Sequence, residues 1–250
     1  PGQTSGLAEA VALLKDVEGI GHATFTAADV IRHELVARIV DAYDKAIQVN
    51  ASFAQAWNNK GSALYQINKF DDAVKCFDEA IKIEPNYDSA WNNKGNALGN
   101  LRKHEDAIKA YDRALDINPE TPAIWKNKGN ALRALERFDD AIKCFDKSLE
   151  IDSTYGAGWT GKGHCYNALG RYKDAENSYD KAIAINPDDD VAWNNKGYAF
   201  QQQGKLSDAI KCYDKAIEID PAYAEAWNNK GNAFASLKKY TDAIKFYDKA

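Results

Sequence analysis

Methionine is absent from all 250 residues, cysteine occurs four times, proline six times, and no basic excess exists: the formal net charge is −5. Each scarcity excludes something. An interleaved, slightly acidic surface offers no field to hold nucleic acid without sequence preference. No apolar run approaches the roughly 18 residues of a membrane span, and the first residues lack the charged-then-apolar layout of a signal peptide. The expected partners therefore include neither nucleic acid nor membrane. Cys76, Cys144 and Cys212 stand 68 residues apart; that regular spacing places them far beyond the ~7 Å Cα limit of a disulfide. With Cys165 they read as packing thiols of a reducing, cytoplasmic compartment. His22, His33, His104 and His164 show no metal-ligand spacing with the cysteines or each other, so neither a metal nor a cofactor is expected. No Ser, Cys or carboxylate pairs with a plausible base, and the chain reads as non-enzymatic.

What is present is a period. Trp57, Trp91, Trp125, Trp159, Trp193 and Trp227 each follow the last by 34 residues, within versions of AWNNKGNA. A period kept that strictly means one supersecondary unit copied and stacked. In residues 88–121, Ala90, Trp91, Leu98 and Leu101 carry one helical stripe. After Arg102-Lys103-His104 a second stripe runs through Ala107, Ile108, Tyr111, Ala114 and Leu115, and Pro119 stops it. The unit is an antiparallel helix pair. Gly61, Gly95, Gly129, Gly163, Gly197 and Gly231 fall mid-helix, where glycine costs about 1 kcal/mol against alanine. Close approach of the neighbouring helix is the expected reason, with Phe77, Tyr111, Phe145, Tyr179, Tyr213 and Tyr247 filling the space between one unit and the next.

Trp, Gly four residues later, Ala-aromatic-Ala in the second helix, then Pro, on a 34-residue period, resembles the tetratricopeptide (TPR) repeat. The resemblance implies an all-α fold, a right-handed α-solenoid of stacked helix pairs. Its units would be 54–87, 88–121, 122–155, 156–189, 190–223 and 224–250. Lys60, Lys94, Lys128, Lys162, Lys196 and Lys230 stand where the family usually has leucine; their stems are expected to pack and their ammonium groups to reach water.

The resemblance also implies that first helices line a concave face holding an extended peptide or protein segment. The matching positions are Asn58, Asn59 and Ser62; Asn92, Asn93 and Asn96; Lys126, Asn127 and Asn130; Thr160, Gly161 and His164; Asn194, Asn195 and Tyr198; Asn228, Asn229 and Asn232. A carboxamide carries both donor and acceptor, so a ladder of them can bond a peptide backbone whatever its side chains. The alternative is that they are solvated polar residues of a repeat close to consensus. A clamp for a C-terminal carboxylate needs several basic groove residues, of which only Lys126 matches. The fourth unit interrupts the ladder, and selectivity is expected there. Gly156 to Lys162 begins a phosphate-loop pattern, but Gly163 stands in the Ser/Thr position and the segment falls inside a helix. A structural alternative to peptide binding is self-association, through an apolar end formed by Phe234, Ile244 and Tyr247.

Residues 1–53 open differently, as a helix capped by Ser5, a short strand at 20–25, and a helix from Ala27 to Val49 capped at Thr26. Residues 1–43 are similar to the C-terminal end of the nucleotide-binding domain of PhoH-like ATPases. Gly2-Gln3 with Ser5-Gly6-Leu7, and Asp29-Val30-Ile31-Arg32-His33, carry that likeness. It implies that Arg32 lies near a nucleotide, while the family's phosphate loop and acidic metal site lie farther upstream. DAYDKAIQVN, from Asp41, already fits the second helix of a repeat. One helix begins in one family and ends in another, which with the missing Met and the stop at Ala250 points to a trimmed natural fusion or a deliberate recombination.

Overall fold

The computed structural model describes residues 27–250, with side-chain surroundings from Leu35 onward. The expected strand at 20–25, the helix capped by Ser5, Thr26 and Arg32's surroundings lie outside the described residues. A long helix, α1 (Ala27–Val49), leads into six antiparallel pairs: α2 (Ala54–Gln66) with α3 (Phe70–Ile83), α4 (Asp88–Asn100) with α5 (His104–Ile117), and α6 (Pro122–Ala134) with α7 (Phe138–Ile151). They continue as α8 (Gly156–Ala168) with α9 (Tyr172–Ile185), α10 (Asp190–Gln202) with α11 (Leu206–Ile219), and α12 (Ala224–Ser236) with α13 (Tyr240–Tyr247). Among the described residues there is no strand. Each helix packs on the next, and the first helices of neighbouring pairs also touch, whereas the second helices of neighbouring pairs do not. The solenoid therefore curves with α2, α4, α6, α8, α10 and α12 on its inner side.

Three devices repeat in every pair. The first is the turn inside it. Asn68, Arg102, Glu136, Gly170, Gly204 and Lys238 all have positive φ. The residue after each donates its N–H to the carbonyl five positions back, as Lys69 does to Leu64 (3.0 Å) and Arg137 to Leu132 (3.0 Å). This left-handed cap satisfies carbonyls that the helix end would strand. The second is the joint between pairs. Each Trp Nε1 donates to the carbonyl six residues earlier, at 2.7 Å for Trp125 to Pro119 and 3.2 Å for Trp57 to Ala51. Pro85, Pro187 and Pro221 accept in the same way, and Ser153 accepts from Trp159. The indole thus buries its body and fixes the approach of its own helix.

The third is the seat of the second helix. A Cβ on Gly95 would stand 2.5 Å from the Tyr111 ring, and one on Gly61 would stand 2.6 Å from Phe77. Gly129, Gly163, Gly197 and Gly231 meet Phe145, Tyr179, Tyr213 and Tyr247 likewise. Close approach is the reason for the glycines, and each aromatic that seats on its own pair also helps fill the gap to the next: Phe77 shares a core cluster with Ala97, Tyr179 with Ala192 and Ala199, and Tyr213 with Ala233. Phe145 lies against Gly161 of the following pair, 2.5 Å from where its Cβ would be. Around these seats Ala73, Ala107, Ala141, Ala175 and Ala209 are fully buried.

The lysines correct the expectation made for them. Lys94, Lys128, Lys162, Lys196 and Lys230 bind Asp78, Asp112, Asp146, Asp180 and Asp214 of the preceding second helix at 2.5–2.6 Å, and Lys60 binds Asp44 of α1. Each ammonium also lies 5.3–5.6 Å from the Trp three residues before it. The lysine side chains are only 14–22% exposed. Cation, indole and carboxylate thus clasp one pair to the next instead of reaching for water. Asp44 takes part because the later half of α1 is in repeat register, with Val36 and Ile47 buried.

Candidate functional site

The inner face is built from successive turns of the first helices, and its asparagines divide by what they already bond. Asn93 Nδ2 donates to Asn58 Oδ1 at 3.0 Å, Asn127 Nδ2 to Asn92 Oδ1 at 3.1 Å, and Asn229 Nδ2 to Asn194 Oδ1 at 3.0 Å. The residue after each Trp accepts from the second residue after the next Trp, so the ladder joins pair to pair. Asn58 and Asn194 are buried in it, at 6% and 0% exposure. Asn194 also donates to Glu225 Oε1 at 3.2 Å. Asn59, Asn92, Asn93 and Asn127 are half-buried, and Asn228 is exposed.

The ladder stops on both sides of the fourth pair. Gly161 has no amide to give toward Lys126, whose Nζ turns to Asn127 Oδ1 at 2.8 Å. Thr160 bonds Asp189 Oδ2 at 3.2 Å, and Asn195 Nδ2 falls back on the Val191 carbonyl at 2.7 Å. Burial alone holds the Lys126 ammonium below its usual pKa. At the third position of this helix His164 lies 5.9 Å from the Tyr179 ring. Burial, and then the nearby Arg133 charge, bring its pKa down to about 4, with Asp189 opposing.

The third-position asparagines have a second task. Tyr111 and Tyr247 donate their hydroxyls to Asn96 and Asn232 Oδ1, each at 2.8 Å. Tyr213 turns instead to Gln201 Oε1 at 2.8 Å, and exposed Tyr198 occupies the third position of that pair. Where the second helix carries a phenylalanine no hydroxyl needs a partner, and Asn130, opposite Phe145, keeps its carboxamide free for the groove.

Two adjoining depressions occupy this face. One, of about 260 Å³, is lined by Tyr65, Asn96, Asn100, Tyr111, Asn127 and Asn130, among others. The other, of about 230 Å³, is lined by Ser62, Tyr65, Gln66, Phe77, Asn93 and Asn96. They share Tyr65 and Asn96 and so run across the first three pairs. Of the expected residues the structure brings Asn93, Asn96, Asn127 and Asn130 together here; Asn194, Asn195, Tyr198, Asn228, Asn229 and Asn232 lie two or more pairs away. Sequence reasoning missed Tyr65, Asn100 and Arg133. Tyr65 and Arg133 sit one helical turn beyond Ser62 and Asn130, so extending the stripe by three residues reaches them. Asn100 Nδ2 donates to Tyr65 Oη at 2.8 Å, closing one wall.

The phosphate-loop-like stretch lies wholly within α8. Among the described residues no three His, Cys, Asp or Glu groups converge as a metal site. No described helix is long and apolar enough to cross a membrane.

Tetratricopeptide-repeat profiles match residues 54–87, 89–121, 120–186 and 178–211, and a TPR repeat profile matches 197–238. A PhoH-like protein profile matches residues 1–44. A PhoH-like protein of Synechocystis sp. is 52% identical over 44 residues, 18% of this chain and 13% of that protein, so the chain spans a small part of its length. Among solved structures, YrrB, described as a TPR protein with an unusual peptide-binding site, is 22% identical, with a TM-score of 0.60 over 75% of this chain and 96% of its own. PilW, a type IV pilus biogenesis factor, is 21% identical with a TM-score of 0.72, over 77% and 90%. The APC/C hetero-tetramer Cut9–Hcn1 gives 16% identity and a TM-score of 0.73, over 89% of this chain and 44% of the matched one.

Proposed function

Because the chain belongs to the tetratricopeptide-repeat family, we propose that it is a non-enzymatic interaction scaffold whose inner face holds an extended peptide segment. The observation that carries this reading is the continuous depression over the first three pairs, where Asn100, Asn127 and Asn130 present carboxamides beside the Tyr65 ring. Amides there can bond a peptide backbone, and the ring gives apolar side chains a surface. Neighbours such as YrrB, with its peptide-binding site, share the fold. The binding residues narrow to those with capacity left, since Asn58 and Asn194 are buried in the ladder. Lys126, Asn130 and Asn100 are the strongest members, and Asn228, Asn232 and Tyr198 would extend the track. Residues 1–53 form the leading segment and 54–250 the array in this reading, and the four buried thiols favour the cytoplasm.

The test is a library of synthetic extended peptides titrated against the whole chain and against Asn130→Leu, with Asn177→Leu on the outer surface as control. Binding weakened at least ~tenfold by the first change and untouched by the second is expected, because a buried amide left unpaired costs 1–3 kcal/mol. A library without a binder, or equal binding by all three proteins, overturns the reading. A second reading, self-association, rests on the exposed Tyr240 and Ile244 (62% and 57%) on α13. A light-scattering mass that stays monomeric over a wide concentration range removes it. The third, a fragment of a nucleotide-binding ATPase, rests on the PhoH-like match over residues 1–44 and is closed by a calorimetric titration in which ATP does not bind.

A further inference from the structure

The inner face changes character between the third and fourth pairs. Lys126, Asn130 and Arg133 occur at positions i, i+4 and i+7 of α6, one stripe on one helix face. Arg113, Arg137 and Arg171 each pair with a carboxylate. Arg133 pairs with none among the described residues, and its Nε is buried without a hydrogen-bond partner. One pair along, at the same helical position on α8, Asn167 donates to Tyr179 Oη and to the Asn195 carbonyl, both at 3.2 Å. Those bonds fix which way its amide points, and its Oδ1 is then also buried and unpartnered. These are the only two such side-chain atoms found among the described residues.

A buried donor and a buried acceptor left open on neighbouring inner helices are a demand for a ligand that supplies one of each. The acid capping α10 does not meet it. Asp189 accepts from the Ala192 N–H at 2.8 Å and from Thr160 Oγ1 at 3.2 Å, and so is occupied as a helix cap. Lys126 is likewise held only by a neutral amide. Two cations without carboxylates, in a chain of net charge −5, set an acceptor of negative charge above a neutral one.

We infer that the inner face between α6 and α8 is a subsite for an acidic side chain of the bound peptide: Arg133 takes the carboxylate, Lys126 adds its charge, and Asn167 Oδ1 accepts a main-chain N–H from the same segment. This rests on the peptide-groove reading above and adds to it a side-chain preference at one place along the groove. A carboxylate suits the subsite because the guanidinium offers paired donors in a fixed fork.

The experiment titrates the whole chain with three fluorescent peptides of one alanine/serine host, carrying Glu, Gln or Lys at the centre. The expected order is Glu, then Gln, then Lys, with Glu preferred over Gln by about tenfold, the scale of one charge-assisted hydrogen bond. Arg133→Gln should bring the Glu-to-Gln ratio near one while leaving the Gln peptide bound. Arg133→Lys, which keeps the charge and loses the fork, should leave an intermediate ratio and guards against a fold defect in the first variant. Equal binding of all three peptides, or a Glu preference that survives Arg133→Gln, overturns the subsite and leaves the groove standing. Failure of every peptide to bind overturns both.

Discussion

Two glycines four residues apart on α4 have opposite reasons to be there. A Cβ on Gly95 would meet three atoms of the Tyr111 ring at 2.5–2.9 Å, whereas one on Gly99 would meet nothing within 4 Å. The Tyr111 ring is 4% exposed and its hydroxyl is tied to Asn96, so it has little room to retreat. Overpacking costs 1–3 kcal/mol, and the gain in helix propensity returns only about 1. Gly95→Ala is therefore expected to destabilise the protein by up to about 2 kcal/mol, and Gly99→Ala to stabilise it by up to about 1 kcal/mol. Urea midpoints of the two variants, compared with the parent, decide it; a shared sign would mean the ring is not pinned. The need for a small residue at Gly95 was legible in its recurrence every 34 residues. Which atoms demand it was not, because periodicity shows that a position is crowded without showing by whom. The lysine clasp was hidden differently. Comparison with leucine led to an expectation of solvent, while the partner was in plain view as an aspartate 16 residues before every such lysine, from Asp44 to Asp214.

The helix pairs themselves were legible almost to the residue. The stripe from Ala90 to Leu101 marks the first helix of 88–121 and Asp88–Asn100 is found, because the hydrophobic stripe and the proline that ends the pair agree. The turn between them was not, since only Gly170 and Gly204 announce its left-handed residue. The other four turns place Asn68, Arg102, Glu136 and Lys238 at φ of 58–61°. A left-handed backbone costs an ordinary residue about 1–2 kcal/mol, and glycine removes that cost while adding roughly 0.4–1 kcal/mol of unfolded-chain entropy. The difference favours glycine. Glu136 is exposed, so Glu136→Gly disturbs no packing and is expected to stabilise by about 0.5–1 kcal/mol. A thermal melt lowered by the change would show that the Glu136 side chain supports α6 or α7 in a way its exposure does not suggest. The groove was half legible for a related reason. First-helix spacing identified which faces converge, but whether an asparagine is free depends on the residue 35 positions away, and Asn58 and Asn194 turned out to be spent.

Over the whole molecule, stability is close to a sum of pairs and the joints between them, so the weakest joint sets how far the array behaves as one body. The fourth pair differs from the others on two counts. It lacks the asparagine bond on both sides, and α8 carries Gly156, Gly158, Gly161 and Gly163 within 13 residues, each interior one at a propensity cost of about 1 kcal/mol. It also holds His164, a histidine whose folded pKa is strongly displaced. His164 titrates at about 4 in the folded chain, against 6.5 when unfolded, because burial and the Arg133 charge disfavour the imidazolium while Asp189 opposes only weakly. Between those values the unfolded chain binds the extra proton, so stability rises with pH there. The contribution is fully present above pH 6.5 and is lost as pH falls toward 4, about 3 kcal/mol in all. His164→Asn places there the residue that Asn96, Asn130 and Asn232 supply elsewhere, and removes the titration. The expected result is a parent whose urea midpoint falls between pH 7 and 4.5 by clearly more than the variant's. The exposed carboxylates paired with lysines, such as Asp106 and Asp140, whose pKa values are lowered by those partners, respond alike in both proteins and cancel. Parallel midpoints would mean that the imidazole is protonated in place, with the fourth pair open enough to hydrate it. That pair would then be a flexible link rather than a closed joint.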